Sequence, residues 1–174
     1  MKIVIVNGSP RKGNTYTAVQ TIVNSASAKN SIEVIDADKL TISGCKGCDI
    51  CQCKNGCVAK DDTNPTIDKL VAADMIIFAT PVYWWGMTAQ LKTVIDKCYC
   101  RGALLKGKKI GTIVIGGAST GSVQYQLIDK QFECIAEYLN WDIVFNKAYS
   151  EYGLSDLADD ADAMDELREI GAGL

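Results

Sequence analysis

The 174-residue sequence contains no histidine. This absence excludes every histidine-ligated metal site and every catalytic triad that uses an imidazole base. Long hydrophobic runs are also lacking. The first apolar segment, Ile3–Val6, is far too short for a signal peptide, and no later segment is long enough to span a bilayer. We therefore expect a cytoplasmic protein that does not contact membranes.

A strong excess of charge is lacking as well. The formal net charge is -3, and the lysines and arginines are scattered, so no general attraction to nucleic acid is expected. Hydrophobic residues make up 48% of the chain and charged residues 22%, which is typical of a globular protein. The length suits a single domain over residues 1–174 with a substantial core.

Apolar runs that predict buried strands alternate about five times with stretches of helical spacing. This alternation predicts an α/β fold with a five-stranded parallel sheet and helices on both faces. Right-handed crossovers favour a doubly wound sheet with the strand order 2-1-3-4-5. The predicted strands are 3–6, 32–35, 75–79, 110–115 and 141–145. The predicted helices are 15–28, one that begins with Thr63 or Asn64 as its N-cap, 88–98, 123–139 and 155–170.

The segment GSPRKGNT, residues 8–15, follows the first strand and opens the first helix. Backbone N–H groups and a helix N-terminus favour an anion at such a place. Asn14 stands where a nucleoside-triphosphate loop, G-x-x-x-x-G-K-S/T, has its lysine, so the loop suits one terminal phosphate. The alternative is a turn that only caps the helix. The candidate phosphate-binding residues are Ser9, Arg11, Gly13, Asn14 and Thr15.

Two further loops follow the third and fourth strands, TPVYWWGM and GGASTG. In open α/β sheets, ligands bind outside the carboxyl ends of the strands, where aromatic side chains offer flat apolar faces to a ring system. The alternative is that the aromatic residues belong to the core or to an interface. Since three adjacent aromatic residues cannot all face one way, at least one is expected to pack inward or against a partner chain. The candidate ring-binding residues are Pro81, Val82, Tyr83, Trp84, Gly86, Gly116 and Gly117, and Trp85 adds a third aromatic face.

Five of the eight cysteines lie in one segment, residues 42–62, ISGCKGCDICQCKNGCVAKDD. A disulfide framework is disfavoured because thiols are kept reduced in the cytosol. A metal site and a set of free thiols both remain open. Outside this segment, Cys98 and Cys134 lie on predicted helices and are expected in the core, whereas Cys100, near a helix end, has no assigned role.

Together, GSPRKGNT, CKGCDICQCKNGCVAKDD and ATPVYWWGMTAQLKTVIDK resemble the NADPH-dependent FMN reductase and iron–sulfur flavoprotein group of the flavodoxin-like superfamily. The resemblance covers nearly the whole chain, because GGASTG also fits. It implies FMN as the cofactor, NAD(P)H as co-substrate, and a homodimer or homotetramer with the flavin near a subunit interface. It places Ser9, Arg11, Asn14 and Thr15 at the phosphate, and Pro81, Val82, Tyr83, Trp84, Gly116 and Gly117 at the isoalloxazine ring.

The same resemblance implies a compact cluster motif in the cysteine segment. It would hold a four-iron, four-sulfur ([4Fe–4S]) cluster by the thiolates of Cys45, Cys48, Cys51 and Cys57. Cys53 is then an extra thiol that could replace Cys51 or Cys57. A four-thiolate zinc site and free or oxidised thiols are the alternatives.

The sequence thus predicts an FMN-dependent oxidoreductase. It would take electrons from NAD(P)H, or from ferredoxin, and pass them to a small acceptor such as a quinone, a nitro compound or free flavin. No catalytic side chain is expected, because the flavin carries the chemistry. One alternative is a non-enzymatic FMN and iron–sulfur electron-transfer protein, although the phosphate loop lacks the threonine-rich composition of true flavodoxins. Another is a metal-binding or thiol-regulated protein that does not bind FMN.

Overall fold

The computed structural model describes residues 1–174 and contains one sheet of five strands in the order β2-β1-β3-β4-β5. Every neighbouring pair of strands is parallel. The predicted doubly wound α/β fold and its strand order are therefore confirmed. The strands are β1 (Lys2–Asn7), β2 (Ser31–Asp36), β3 (Met75–Pro81), β4 (Lys109–Gly116) and β5 (Asp142–Ser150).

The helices cover both faces of this sheet. Apolar residues of α1 and α6 form one core layer with the sheet, and apolar residues of α3, α4 and α5 form the other. The helices are α1 (Asn14–Ser25), the single-turn α2 (Ile50–Cys53), α3 (Thr63–Ala72), α4 (Ala89–Lys97), α5 (Val123–Leu139) and α6 (Ala161–Gly173). None of them combines the length and the apolar character that crossing a membrane requires.

Alternation along the central strands explains why both layers form. In β1, Ile3 and Ile5 face the layer of α1 and α6, whereas Val4 and Val6 face the opposite layer. All four are fully buried. A strand whose successive side chains are apolar on both sides needs a helix layer over each face, as the continuous apolar run predicted.

The chain departs from the predicted boundaries mainly at its C-terminal end. The fifth strand was predicted to end at residue 145, but β5 continues to Ser150 because Asn146 and Lys147 still pair with β4 although they are polar. The last helix begins at Ala161, where the Asp160 side chain accepts a hydrogen bond from the Ala163 N–H at 3.0 Å. That cap replaces the predicted start at residue 155.

The cysteines outside the cysteine-rich segment divide between core and surface. Cys98 is buried as predicted, and burial raises the pKa of its thiol to about 12. Cys134 is exposed, so its predicted place in the core is wrong. It lies on the solvent side of α5, whose core face is formed instead by residues such as Ile128 and Phe132.

Candidate functional site

The loop after β1 is locked to the loop after β3. The Gly8 N–H donates to the Ala79 carbonyl at 2.7 Å, and the Thr88 hydroxyl donates to the Gly8 carbonyl at 2.8 Å. A Cβ atom on Gly8 would lie 2.9 Å from the Cβ of Leu91, so only glycine allows this approach. The two loops at the carboxyl edge of the sheet therefore form one unit.

Inside the first loop, the backbone is held by its own side chains and one cation is left without a partner. The Asn7 side chain accepts from the Ser9 N–H at 3.1 Å, and the Ser9 hydroxyl donates to the Arg11 carbonyl at 2.9 Å. The backbone of Arg11 is therefore hydrogen-bonded to Ser9. Its exposed guanidinium group, in contrast, makes no hydrogen bond or ion pair with the protein. All five of its N–H donors are available to a ligand.

A cavity of about 210 Å³ opens at this edge of the sheet. The cavity brings together the predicted phosphate-loop residues and the loops that follow β3 and β4. All but two of the predicted cofactor-binding residues line it. The predicted residues that line it are Ser9, Arg11, Gly13, Asn14, Thr15, Pro81, Val82, Tyr83, Gly116 and Gly117.

Trp84 and Gly86 do not line the cavity, because the chain turns tightly there. The N–H of Tyr83 donates to the Gly86 carbonyl at 2.9 Å, and the reverse bond is 3.1 Å. Between them, Trp84 and Trp85 have φ angles of 48° and 64°, the left-handed region that hairpin turns of this kind require. Their indoles point outward, and Trp84 is 91% exposed.

None of the three aromatic residues of this loop packs into the core of the chain. Tyr83 is 38% exposed and Trp85 is 53% exposed. The rings of Trp84 and Trp85 contact each other edge to face, with their centroids 5.2 Å apart. The turn therefore presents an aromatic surface next to the cavity mouth. Packing of this surface against a second chain stays a prediction.

A segment that the sequence did not single out, residues 151–154, completes the cavity wall. The Asn14 carboxamide donates to the Gly153 carbonyl at 2.7 Å and accepts from the Leu157 N–H at 3.2 Å. Leu154 lies against Gly13, where an added Cβ would be 2.9 Å from its side chain. Asn14 is thus committed to holding this segment in place, and a phosphate would have to displace these bonds to use its side chain.

The wall segment also brings negative charge to the cavity. Burial raises the pKa of the Glu151 carboxyl, and the nearby carboxylates of Asp160 and Asp156 raise it further. Glu151 lines the same cavity as Arg11. The site therefore has one unpaired cation and one carboxyl whose charged form is disfavoured.

Tyr125 holds the wall contributed by β4. Its hydroxyl lies 2.8 Å from the Gly116 carbonyl and 3.0 Å from the carbonyls of Ala118 and Tyr149. A Cβ on Gly116 would lie 2.9 Å from a methyl group of Val82, so the loops after β3 and β4 are also in close contact. The Tyr125 hydroxyl, which does not line the cavity, therefore holds the wall contributed by β4 in place.

The two ends of the cysteine-rich segment lie side by side and form a neck, in which residues 41 and 43 bind residues 61 and 62. The N–H and hydroxyl of Ser43 donate to the Asp61 carboxylate at 3.1 and 2.9 Å, and the Thr41 N–H donates to Asp62 at 2.7 Å. Burial opposes ionisation of Asp61, but hydrogen bonds from Thr63 and Ser43 outweigh it and hold its pKa well below the ordinary value. The segment is therefore anchored at both ends.

Side chains of α3 and of the turn after α4 hold the middle of this segment. Asn64 accepts from the Cys57 N–H at 2.8 Å and donates to the Cys57 carbonyl at 2.7 Å. The predicted role of Asn64 or Thr63 as helix N-cap is thus wrong, since α3 already includes Thr63 and Asn64 binds the cysteine segment instead. The Tyr99 hydroxyl donates to Asp49 at 3.2 Å. These contacts order a connection that has little regular structure.

A second cavity of about 290 Å³ lies inside this segment. Its lining includes all four predicted metal ligands together with Cys100, which the sequence did not assign. Cys53 does not line it. Burial raises the pKa of the Cys100 thiol, and the neighbouring thiols of Cys57 and Cys51 contribute to the increase. The cysteines that line the cavity are Cys45, Cys48, Cys51, Cys57 and Cys100.

These thiols line one cavity, but they do not converge on a single metal position. No group of three or more cysteine and carboxylate side chains lies close enough together to hold a single metal ion. A tetrahedral zinc site would need that arrangement. A four-iron cube is a larger body that is bound by four thiolates on its outside, and the donor set and the cavity fit such a group.

The parallel sheet, the phosphate-type loop after β1 and the cavity at the carboxyl edge define the class of flavodoxin-like mononucleotide-binding proteins. Residues 1–139 match the family described as NADPH-dependent FMN reductase, and the chain belongs to that family of flavin-dependent oxidoreductases.

Curated relatives agree with this assignment. The chain is 34% identical over 135 residues to an iron–sulfur flavoprotein of Methanocaldococcus jannaschii, with 73% of this chain and 67% of that protein covered. It is 33% identical over 129 residues to an iron–sulfur flavoprotein of Methanosarcina thermophila, with 70% and 66% covered. The chain therefore spans about two thirds of the length of these relatives.

Solved structures share the fold. A protein of Streptococcus mutans UA159, Smu.1420, superposes with a TM-score of 0.78 at 18% identity, and each chain is covered completely. An azoreductase of Bacillus anthracis superposes with a TM-score of 0.73 at 13% identity, again over both whole chains. At these identities the likeness concerns the fold alone.

Proposed function

We propose that this chain binds FMN at the carboxyl edge of its sheet and acts as an FMN-dependent oxidoreductase. It takes electrons from NAD(P)H and passes them to a small acceptor such as a quinone, a nitro compound or free flavin. The observation that carries the proposal is the unpaired Arg11 guanidinium beside a glycine-bounded loop and a helix N-terminus. A free cation at such a place is suited to a terminal phosphate.

Each part of the site has a defined role in this proposal. Arg11 and the first turn of α1 bind the phosphate, and backbone groups of Pro81–Tyr83 and Gly116–Gly117 meet the polar edges of the flavin. Asn14 fixes the wall formed by residues 151–154. Bound FMN supplies the hydride and electron transfer, and the protein supplies binding and orientation.

The cavity is small for a whole mononucleotide. Its volume is about 210 Å³, whereas small-molecule sites typically enclose roughly 300–1,000 Å³. Part of a bound flavin would therefore extend beyond the cavity mouth, towards the exposed turn of Tyr83, Trp84 and Trp85. We include in the proposal a homodimer or homotetramer in which a second copy covers this turn, since large exposed aromatic patches are typical of interaction surfaces.

The cysteine cavity supports a second redox centre. Cys45, Cys48, Cys51 and Cys57 would hold a [4Fe–4S] cluster, and the relatives named above are called iron–sulfur flavoproteins. This centre also supports the alternative function, a non-enzymatic electron-transfer protein that exchanges single electrons with a ferredoxin-like donor. Repeated oxidation of NAD(P)H by a catalytic amount of protein supports the enzyme, and reduction by a protein donor alone supports the carrier.

Replacement of Arg11 tests the flavin site. Arg11→Met should weaken FMN binding about 10- to 150-fold, because a hydrogen-bonded charge contributes about 1.5–3 kcal/mol. Arg168→Met is the matched control, since Arg168 pairs with Asp165 on the exposed face of α6. FMN titration by fluorescence quenching measures both. Equal affinities in the two variants would refute the phosphate assignment.

A pair of cysteine variants tests the cluster site. Cys48→Ser should abolish iron and acid-labile sulfide in anaerobically purified protein, while Cys53→Ser should retain both. The reason is that Cys48 lines the cavity and Cys53 does not. Full iron content in Cys48→Ser would contradict its role as a ligand. The absorption spectrum of the wild-type protein, taken before any substitution, separates flavin alone, flavin with a cluster, and neither.

A further inference from the structure

The end of α4 places a buried ammonium group at the cysteine cavity. Lys97, the last residue of that helix, is only 4% exposed and lines the cavity. The contact of its Nζ atom is the Cys57 sulfur, at 3.8 Å. No carboxylate lies within 4.0 Å of it: the adjacent Asp96 pairs with Lys92 instead. Lys97 is therefore a buried cation whose neighbour is a thiol.

Such a group is costly unless negative charge lies close to it. An unpaired ammonium loses its hydration on burial, which disfavours the folded protein. The carbonyl groups at the C-terminal end of α4 offset only part of this cost. The remainder calls for an anion inside the cavity, and the Cys57 thiolate is the group in contact with Nζ that would supply one.

We propose that Lys97 is the charge-compensating residue of the cysteine site and raises the reduction potential of the group held there. This inference rests on the proposed [4Fe–4S] cluster. Adding one electron to a thiolate-bound cluster makes it more negative by one charge, so a buried cation beside Cys57 stabilises the reduced form more than the oxidised form. Net charge around a cluster is one of the factors that set its potential.

The same geometry predicts effects of opposite sign in the empty and the loaded protein. Without the cluster, no iron-bound thiolate lies beside Lys97, so its removal relieves an uncompensated charge. With the cluster, its removal takes away a favourable partner. A residue that merely fills space would destabilise both forms when replaced.

The test uses anaerobically reconstituted full-length protein and three variants. Lys97→Met keeps the length of the side chain without its charge, Lys97→Arg keeps the charge, and Lys92→Met removes an exposed, paired lysine of the same helix. Iron content is determined first. The potential is then measured by titration with dithionite as the electron donor, and apo-protein stability by urea unfolding.

We expect Lys97→Met to bind iron and to stabilise the reduced form at least tenfold less than wild type, a shift of about 59 mV to more negative potential for one electron. Lys97→Arg and Lys92→Met should stay close to wild type. Apo Lys97→Met should be at least as stable as apo wild type. Loss of iron from Lys97→Met alone, with iron retained by Lys97→Arg, also supports the proposal, because charge is then what the site requires.

Other outcomes refute the role of Lys97, and they distinguish its failure from a failure of the proposed function. An unchanged potential in Lys97→Met, or loss of iron from Lys97→Arg as well, refutes the role of Lys97 while the cluster stands. Wild-type protein that takes up no iron refutes both the cluster and the role of Lys97. The FMN site is tested independently by Arg11→Met and is untouched by either result.

Discussion

The carboxamide of Asn14 joins the first turn of α1 to a carbonyl 139 residues further along the chain, that of Gly153, at 2.7 Å. The same side chain accepts from the Leu157 N–H, so one residue holds two points of the connection between β5 and α6. This connection lies beyond residue 139, where the family match ends, yet it forms one wall of the cavity at the carboxyl edge of the sheet.

We expect Asn14→Ala to lower the free energy of unfolding of the flavin-free protein by about 1–3 kcal/mol, because it leaves buried backbone groups without partners. Urea unfolding measures this loss. Asn24→Ala, on the exposed side of the same helix, should change stability by less than about 0.5 kcal/mol. Equal stability of the two variants would show that the bonds of Asn14 do not hold the wall.

Asn14 and Arg11 were both predicted to bind phosphate, but the fold gives them different surroundings. The loop after β1 was predicted as a phosphate site because glycines after a buried strand have a local signature. Nothing local distinguishes an asparagine that faces a ligand from one that binds a segment 139 residues away. Arg11 is left free by the fold, which only the complete set of contacts reveals.

The same limit applies to the cysteine site and the last strand. The family resemblance implied that Cys45, Cys48, Cys51 and Cys57 hold one group, and these four cysteines do line one cavity. Cys100 and Lys97 reach that space from the end of α4, and no pattern within residues 42–62 indicates them. For β5, pairing with β4 carries the strand through polar residues that hydrophobicity alone excludes.

Tyr125 should matter for flavin binding although it lies behind the cavity. Tyr125→Phe removes the hydroxyl that faces the carbonyls of Gly116, Ala118 and Tyr149. We expect a loss of about 1–2 kcal/mol of stability and weaker FMN binding, because the β4 wall is no longer fixed. Calorimetry and FMN titration measure the two effects. Tyr138→Phe, at a 75% exposed position, is the control, and equal behaviour of the two variants would contradict the role of Tyr125.

The neck of the cysteine segment should weaken in acid. The pKa of Asp61 is lowered in the folded protein, so its hydrogen bonds contribute stability that is fully present above the unfolded pKa, about 3.9. This contribution is lost as the pH falls through the folded pKa. In urea unfolding, wild type should exceed Asp61→Asn in stability at pH 6, and the difference should shrink below about pH 4. A difference that is constant with pH would mean that the charge of Asp61 is not what holds Ser43.

Glu151 should oppose the binding of FMN. Its carboxylate lines the same cavity as the phosphate loop, and the raised pKa shows that its surroundings already disfavour its charge. We expect Glu151→Gln to bind FMN about two- to five-fold more tightly near pH 8, in line with about 0.4–1 kcal/mol for a partly exposed charge pair. Glu169→Gln, on the exposed face of α6, should bind FMN like wild type.

The pH dependence of this effect identifies its cause. As the pH falls towards the raised pKa of Glu151, wild type acquires the neutral side chain that the variant already has, so the ratio of the two affinities should approach one. Comparing the ratio removes the titration of the phosphate itself, which occurs near pH 6 in both proteins. An advantage of Glu151→Gln that persists unchanged at low pH would mean that the substitution acts through shape rather than charge.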